Sequence, residues 1–505
     1  MLRPCWTCRS RTVRCDQSRV PCLKCEKAGL ECHDKKPLRW VTGVAIRGKL
    51  RGFVFKDASE ASQDSRAPRS NVKQVSLTSA KRLQILQTPA FGMQDPHMSN
   101  LDQLSRFYVD YYCKQICKLY ILFDSDSNPF RNLLAFGLED LALQKAIVAL
   151  AARHFANTGH SFDETDAVMA PRFMHARMDA LLFKKQTIQA LSSSLSHPGP
   201  RKTESTMATI LLLIFLDLLE SGIDGWNSHL QGARGLLVLN QSLAEPVQDS
   251  YAKADPGDTI RNTRKFITEQ LSLIETLGSA LSSTKTVSEA FIRNECTKHQ
   301  ESTVRSFLGC PEFLLRAVQF FSDQRCLIAE FKRADGSSNT SIIRDTVIML
   351  ELTERFDCLA WASDLQQRAA SPTTEVAMLF SLSQAYKTAT LLYGRRVLSA
   401  LNAEATDATD LVSQLLGLIE ILQNDPVLFK CLLWPTFIAG LDCWTESQQA
   451  FVMKSLRGLW DSTSCLNVIG ASKLLQDHWK RKELPDSLMR EVFDVDGLGR
   501  GWLLI

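Results

Sequence analysis

Residues 1–36 read MLRPCWTCRSRTVRCDQSRVPCLKCEKAGLECHDKK and hold six of the chain's fifteen cysteines. Their spacing is Cys5-x2-Cys8-x6-Cys15-x6-Cys22-x2-Cys25-x6-Cys32, one C-x2-C-x6-C unit written twice with a six-residue joint. Each C-x2-C pair can place two thiolates on one ion at a turn entering a short helix, and the x6 run returns a third. Three thiolates leave a tetrahedral zinc site one ligand short, since zinc takes four at about 2.3 Å. Two such halves satisfy two zinc ions when two sulfurs bridge. The doubled motif therefore predicts a binuclear cluster held by Cys5, Cys8, Cys15, Cys22, Cys25 and Cys32.

A segment this short has little apolar core to bury, so metal binding would supply its folding free energy. Two divalent ions and six thiolates leave two negative charges, which nearby arginines partly offset. Three other readings compete. Chance is a poor account of a doubled spacing. A disulfide knot needs an oxidising compartment. Here the first residues run straight into the cysteines without an apolar signal region, which predicts a reducing, intracellular setting. A finger with histidine ligands needs His at a matching spacing, and His33, adjacent to Cys32, does not supply it.

Charge separates the head from the remainder. Residues 1–56 carry fourteen of the 59 Lys/Arg but only four of the 55 Asp/Glu, which leaves the rest of the chain mildly acidic. A small basic head on an acidic body predicts a polyanion as the head's partner. Within the head, CRSRTVRC carries Arg9, Arg11 and Arg14 and no acid, whereas CEKAGLEC mixes Lys27 with Glu26 and Glu31, with Lys24 just ahead of it. The first half should approach a nucleic acid, and the second should brace the cluster and touch phosphate. The competing reading of Arg11 and Arg14 is a solvated basic face.

With every ligand position filled, the stretch resembles the zinc binuclear cluster DNA-binding domain of fungal transcription factors. The resemblance implies that Cys5 and Cys22 bridge, that Cys8 and Cys15 complete one zinc, and that Cys25 and Cys32 complete the other. It also implies a helix in the major groove of double-stranded DNA, often at CGG-like triplets, with dimer spacing setting half-site separation. Arginine suits bidentate reading of a guanine edge, while phosphate contacts supply register and affinity without sequence information. Two departures stand out. The family's adjacent basic pair is Arg11-Thr12 here, so the expected base reader is Thr12, which can contact a base edge or a thymine methyl. Pro21 directly precedes Cys22, where the family places proline one residue earlier.

Residues 35–56, KKPLRWVTGVAIRGKLRGFVFK, space basic residues among Gly, Val and Trp40 without a sustained heptad, and residues 57–97 are polar with few large apolars. The first reads as a phosphate-tracking extension and nuclear-import signal or as a solubilising linker. The second reads as flexible. No coiled coil is expected between 35 and 97.

From Leu101 the pattern is helical, and the fold class expected for 98–505 is all-α, with a cluster domain over 1–34 and a linker over 35–97. LEDLALQKAIVALAARHF places Leu141, Val148, Ala152 and Phe155 on one face. TMATILLLIFLDLLE is apolar almost all round and should be buried. GWNSHLQGARGLLVL places Trp226, Leu230, Ala233 and Leu237 on one stripe. Loops are expected at 197–204, 241–260 and 333–341. The most apolar stretch, Ala208 to Leu219, is interrupted by Asp217 and falls short of the roughly 20 residues that span a bilayer, so no membrane partner is expected. SRFYVDYY (105–112), NPFRNLLAFGL (128–138), GWNSHLQGARGLL (225–237) and LLWPTFIAG (432–440) resemble the helical regulatory domain of the same fungal factors. This implies a regulatory body, partnered by transcription machinery or coactivators, and a homodimer as one arrangement.

No G-x-S-x-G, H-E-x-x-H, P-loop or strand-linked G-x-G-x-x-G occurs. His154, His175 and His229 fall in helical segments and read as core or surface residues. Cys113 and Cys117, four apart, lack a third ligand nearby and read as small buried residues. Asn339-Thr340-Ser341 is a glycosylation sequon by pattern only. The tail LPDSLMREVFDVDGLGRGWLLI could meet a coactivator or cap the helical body. The leading expectation is a nuclear, zinc-dependent, sequence-specific regulator of RNA polymerase II transcription, not an enzyme. The alternative is an interaction protein whose cluster is structural only.

Overall fold

The computed structural model describes residues 4–16, 19, 21–33, 101–126, 128–163, 169–196, 203–223, 225–242, 258–280, 309–331, 340–368, 375–402, 408–482 and 502–504. The coordinates divide into two units, Met1–Leu77 and Thr78–Ile505. The boundaries expected at 34 and 97, and the whole of the expected linker, lie outside the described residues.

The first unit has two five-residue helices, α1 (Trp6–Ser10) and α2 (Leu23–Lys27), packed on each other around the cysteines. Its interior is sulfur: Cys5, Cys8, Cys15, Cys22 and Cys25 are buried and Cys32 packs against them.

The described residues of the second unit are helices and their connections, as the periodicity predicts, with one isolated antiparallel bridge, Ile223 to Trp502. It opens with α3 (Gln103–Tyr111), a π-helical turn at Tyr112–Ile116 and the short α4 (Cys117–Leu119). Then follow α5 (Pro129–Glu139), α6 (Leu141–Asn157), α7 (Pro171–Ser196), α8 (Thr203–Glu220), α9 (Gly225–Ser242) and α10 (Asp258–Ser279). The later helices are α11 (Glu312–Phe331), α12 (Thr340–Glu354), α13 (Cys358–Arg368), α14 (Val376–Asn402) and α15 (Thr409–Leu422). Short α16 (Pro426–Phe429) and α17 (Leu433–Leu441), then α18 (Glu446–Thr463) and α19 (Leu466–Lys482), complete the order. Two of the expected loops are trimmed by helices that start at Thr203 and Thr340, and the third loses residues at both ends to α9 and α10.

Helix α6 is the hub of one half of the body, packing on α3, α5, α7 and α8. Its run of alanines (Ala142, Ala146, Ala149, Ala151, Ala152, Ala156) is buried with Leu143, Ile147, Val148 and Leu150, so neighbouring helices close on it from several sides. Asp140 caps it, its carboxylate accepting from Leu143 N–H at 3.0 Å, a contact that typically stabilises a helix by about 1 kcal/mol. One sequence expectation fails here: Leu141 is 61% exposed, because it is the first residue of the helix and precedes the turn where the neighbours close in. Val148 and Ala152 are buried and Phe155 half-buried, as expected.

Helix α8 is buried on all sides from Leu211 to Leu219. Helix α14 organises the other half, packing on α11, α12, α13, α15 and α17. All nine residues of α17 (LWPTFIAGL) are buried, and its Pro435 lies in the first turn, where a missing N–H costs nothing. Arg396 of α14 holds Asp442 through Nε at 3.0 and 2.9 Å and through Nη2 at 2.6 Å, and also donates to Leu441 O at 2.9 Å.

The GWNSHL stretch sits where α9 begins. A Cβ at Gly225 would stand 2.5 Å from the Asp217 carboxylate, and a Cβ at Gly278 would stand 2.3 Å from the Trp226 ring. Both close approaches need glycine, and Trp226, Leu230 and Ala233 are buried as the stripe predicts, with Leu237 partly so. The end of the chain returns to this region. Leu503 N–H donates to Gly222 O at 3.0 Å, and Leu503 and Leu504 are fully buried, so these tail residues belong to the core. Asn339 of the sequon and residues 483–501 of the tail lie outside the described residues. No described helix is long and apolar enough to cross a membrane.

Candidate metal centre

The two halves of the head repeat one backbone design at an offset of seventeen residues. Cys5 and Cys22 are the N-caps of α1 and α2, both extended, at φ −62° and −68°. Arg9 N–H donates to Cys5 O and Glu26 N–H to Cys22 O. Val13 N–H donates to Cys8 O and Leu30 N–H to Cys25 O, each at 3.0 Å. Each half then reverses through a left-handed residue, Thr12 at φ +55° and Gly29 at φ +62°. The C-x2-C-x6-C spacing is thus one turn–helix–turn unit used twice.

The repetition brings six sulfurs together. The Sγ atoms of Cys5, Cys8, Cys15 and Cys22 lie within 4.8 Å of one another, and so do those of Cys5, Cys22, Cys25 and Cys32. Cys5 and Cys22 belong to both groups, with their Sγ atoms 3.8 Å apart. Cys5 to Cys25 and Cys8 to Cys22 are 3.7 Å, and Cys5 to Cys15 is 4.0 Å. Two thiolates held at about 2.3 Å on a tetrahedral ion are separated by about 3.8 Å, so these spacings fit zinc. Cys8 and Cys25, which fall in different groups, are also 3.8 Å apart.

The electrostatics point the same way. Burial and neighbouring sulfurs push the Cys8 thiol up to about 12, and burial raises Cys25 further. Six sulfurs this close become thiolates together only when cations compensate their charge. No imidazole or carboxylate enters either group, and an all-sulfur set favours zinc over hard cations.

Side chains outside the cysteines lock the halves. Thr7 Oγ1 donates to Glu31 O at 2.8 Å and accepts from His33 N–H at 3.1 Å, while Trp6 N–H donates to His33 O at 2.7 Å. The Asp16 carboxylate accepts from Leu23 and Lys24 N–H, both at 3.3 Å, and so caps α2 from the joint. Arg19 pairs with Glu26. Sequence reading missed Thr7 and Asp16, because their partners lie seven to twenty-six positions away and no local spacing signals them.

Arg9, Arg11, Thr12, Arg14, Lys24 and Lys27 are all exposed on the head. Superposing the repeats by position pairs Arg9 with Glu26, Arg11 with Ala28 and Arg14 with Glu31. The first half is therefore basic where the second is acidic or neutral, on an otherwise shared scaffold. Thr12 donates its hydroxyl to Arg11 O at 2.7 Å.

The body's candidate chemistry resolves into packing. His154 is buried, with Nε2 donating to Thr463 O at 3.1 Å and Nδ1 accepting from Tyr111 OH at 2.9 Å. His229 Nε2 approaches Asp217 at 3.5 Å, and His175 is half-buried on α7. Cys113, half-buried, lies within the π-turn and Cys117, fully buried, directly follows it, and the metal-competent groups among the described residues are the two in the head. A cavity lined by Tyr120, Phe215, Lys430, Cys431 and Cys465 offers about 30 Å³, room for one or two waters. Its Lys430 ammonium donates to Lys118 O and Ile121 O, both at 2.6 Å.

Comparison with known proteins agrees with both units. Residues 3–40 match the fungal Zn(2)-Cys(6) binuclear cluster domain, and residues 106–501 match the fungal specific transcription factor domain. The chain is 22% identical over 433 residues to the acriflavine sensitivity control protein acr-2 of Neurospora crassa, covering 83% of this chain and 69% of that protein. No solved structure matches.

Proposed function

Because the chain belongs to the family of fungal Zn(2)-Cys(6) transcription factors with a fungal-specific transcription factor domain, we propose that it is a nuclear, sequence-specific DNA-binding regulator of RNA polymerase II transcription. The observation that carries this reading is the pair of four-sulfur groups sharing Cys5 and Cys22, flanked by the exposed Arg9, Arg11 and Arg14. In this reading Cys8 and Cys15 complete one zinc site and Cys25 and Cys32 the other, over a DNA-binding domain of residues 1–34. Zinc, when bound, supplies the cross-links and charge compensation that fold the head.

The chain's own residues do the reading. Arg9, Arg11 and Arg14 present guanidinium groups from the first half, where they pair with guanine edges or phosphates. Lys24 and Lys27 on the second half meet phosphate and set register. Thr12, exposed between Arg11 and Arg14 in the chain, has its hydroxyl turned to Arg11 O. That loss of a free donor favours a second reading, in which the cluster is structural and the protein acts as a co-regulator through protein contacts. The helical body over 98–505 serves regulation in either case.

Site selection on random duplex DNA with the zinc-loaded full chain near physiological salt tests the proposal. A CGG-like triplet or other fixed site, lost on chelation, is the expected result, and the number and spacing of triplets reports whether one chain or a homodimer binds. Binding without enrichment of any sequence would overturn the specific-reader proposal in favour of the co-regulator.

A further inference from the structure

Helix α7 (Pro171–Ser196) presents two opposed faces with different fates. Ala176, Asp179, Ala180, Phe183 and Thr187 are buried where it packs on α6 and α8. On the other side Met174, Leu181, Ile188 and Leu195 are 45%, 39%, 40% and 37% exposed. These four follow one another at intervals of seven residues, and they span about 31 Å of helix. Large apolar side chains held in water at a strict heptad supply one of the two core positions of a coiled-coil seam. A helix lying on a bilayer shows a wider apolar face.

Placing the four at d puts Pro171, Met178, Lys185 and Ser192 at a, of which Met178 adds to the apolar line, and Arg177, Lys184 and Leu191 at g. Ala176, Asp179, Ala180, Phe183 and Thr187 then fall at b, c and f, opposite the seam, and the buried Leu191 falls at g near its C-terminal end. The charge on this face has one sign. The only acid of α7 is Asp179, which is buried and accepts from Tyr108 OH at 3.0 Å. Arg172, Arg177 and Lys185 are exposed, His175 is half-buried, and Lys184 is held by Asp217 and Glu220 at 2.8 and 2.6 Å. A second copy of α7 would set these basic residues against each other in either direction, with no acid on the helix to relieve them.

We propose that the outward seam of α7 docks an acidic amphipathic helix of a partner protein, one with apolar residues at heptad spacing flanked by Glu or Asp. Leu181 and Ile188 form the centre of the contact, and Arg177 and Lys185 select the sign of the partner's charge. This site is independent of what the zinc head binds.

The test uses the zinc-loaded full chain and two fluorescein-labelled designed helices of about four heptads, both with Leu at a and d. One carries Glu at e and g, the other Lys. The Glu peptide should bind saturably, and the Lys peptide at least about tenfold more weakly. L181E/I188E should weaken the Glu peptide about tenfold or more, with thermal unfolding and DNA binding unchanged. R177E/K185E should invert the preference between the peptides, an outcome that general stickiness does not produce. Equal binding of both peptides, or binding indifferent to L181E/I188E, would overturn the proposal. So would uptake by phosphatidylserine vesicles without preference for the Glu peptide. A concentration-dependent dimer in sedimentation velocity that L181E/I188E dissolves would reassign the seam to a second copy.

Discussion

Thr12 and Gly29 occupy the same turn in the two halves of the head, both left-handed, at φ +55° and +62°. Glycine accepts that conformation freely, whereas a β-branched residue is strained there. Relieving it costs nothing in ligands, since neither residue holds a sulfur. Thr12→Gly should therefore leave zinc content intact and stabilise the zinc-loaded head by up to about 1 kcal/mol, while Gly29→Thr should destabilise it by about 1–2 kcal/mol. Chelator competition and thermal unfolding read both. If Thr12 contacts a base, site selection with Thr12→Gly will also relax at one position.

Cys22 belongs to both four-sulfur groups. Cys22→Ser should lower the zinc content of the full chain by more than a single-group ligand such as Cys15 would, and abolish specific DNA binding. Cys113→Ser, in the body, should keep both. Elemental analysis after gel filtration decides the matter, and an unchanged zinc stoichiometry in Cys22→Ser would sink the ligand assignment.

His154 ties α6 to the end of α18, and burial holds its pKa down to about 4, below the ordinary 6.5. The unfolded chain takes up its proton near 6.5 and the folded chain only near 4. The contribution is thus fully present above pH 6.5 and is lost as pH falls from 6.5 through 4, amounting to roughly 3 kcal/mol at most. Denaturant titrations at several pH values should show His154→Gln less stable at pH 7, with a shallower acid limb than the parent. Parallel limbs would refute the assignment.

Gly278 gives its space to the Trp226 ring. Gly278→Ala should destabilise the body by about 1–3 kcal/mol through overpacking against the buried Trp226 ring. Zinc content should not change. A denaturant midpoint equal to the parent's would show that α9 and α10 separate more readily than the packing implies.

Some features were legible before any coordinates. Six cysteines at a doubled spacing already point to an all-sulfur metal cluster, because the donor set is a matter of local spacing. The 3.6-residue periodicity fixes an all-α body, and the apolar run from Leu211 to Leu219, broken only by Asp217, fixes a buried α8. Other features depend on contacts between residues far apart in the chain. Leu141 matches the apolar face of α6 in sequence yet is exposed, since burial is set by where neighbouring helices close in. Met174, Leu181, Ile188 and Leu195 look like ordinary core positions until α6 and α8 are seen covering the opposite face of their helix. Thr7, Asp16, and the return of Leu503 to Gly222 likewise join partners that no local pattern links. The sequence by itself determined the ligand chemistry and the class of fold, because both follow from short-range spacing. Tertiary structure alone decided which cross-contacts lock the two halves of the head and which apolar stripe was left facing water, because both depend on how distant segments pack.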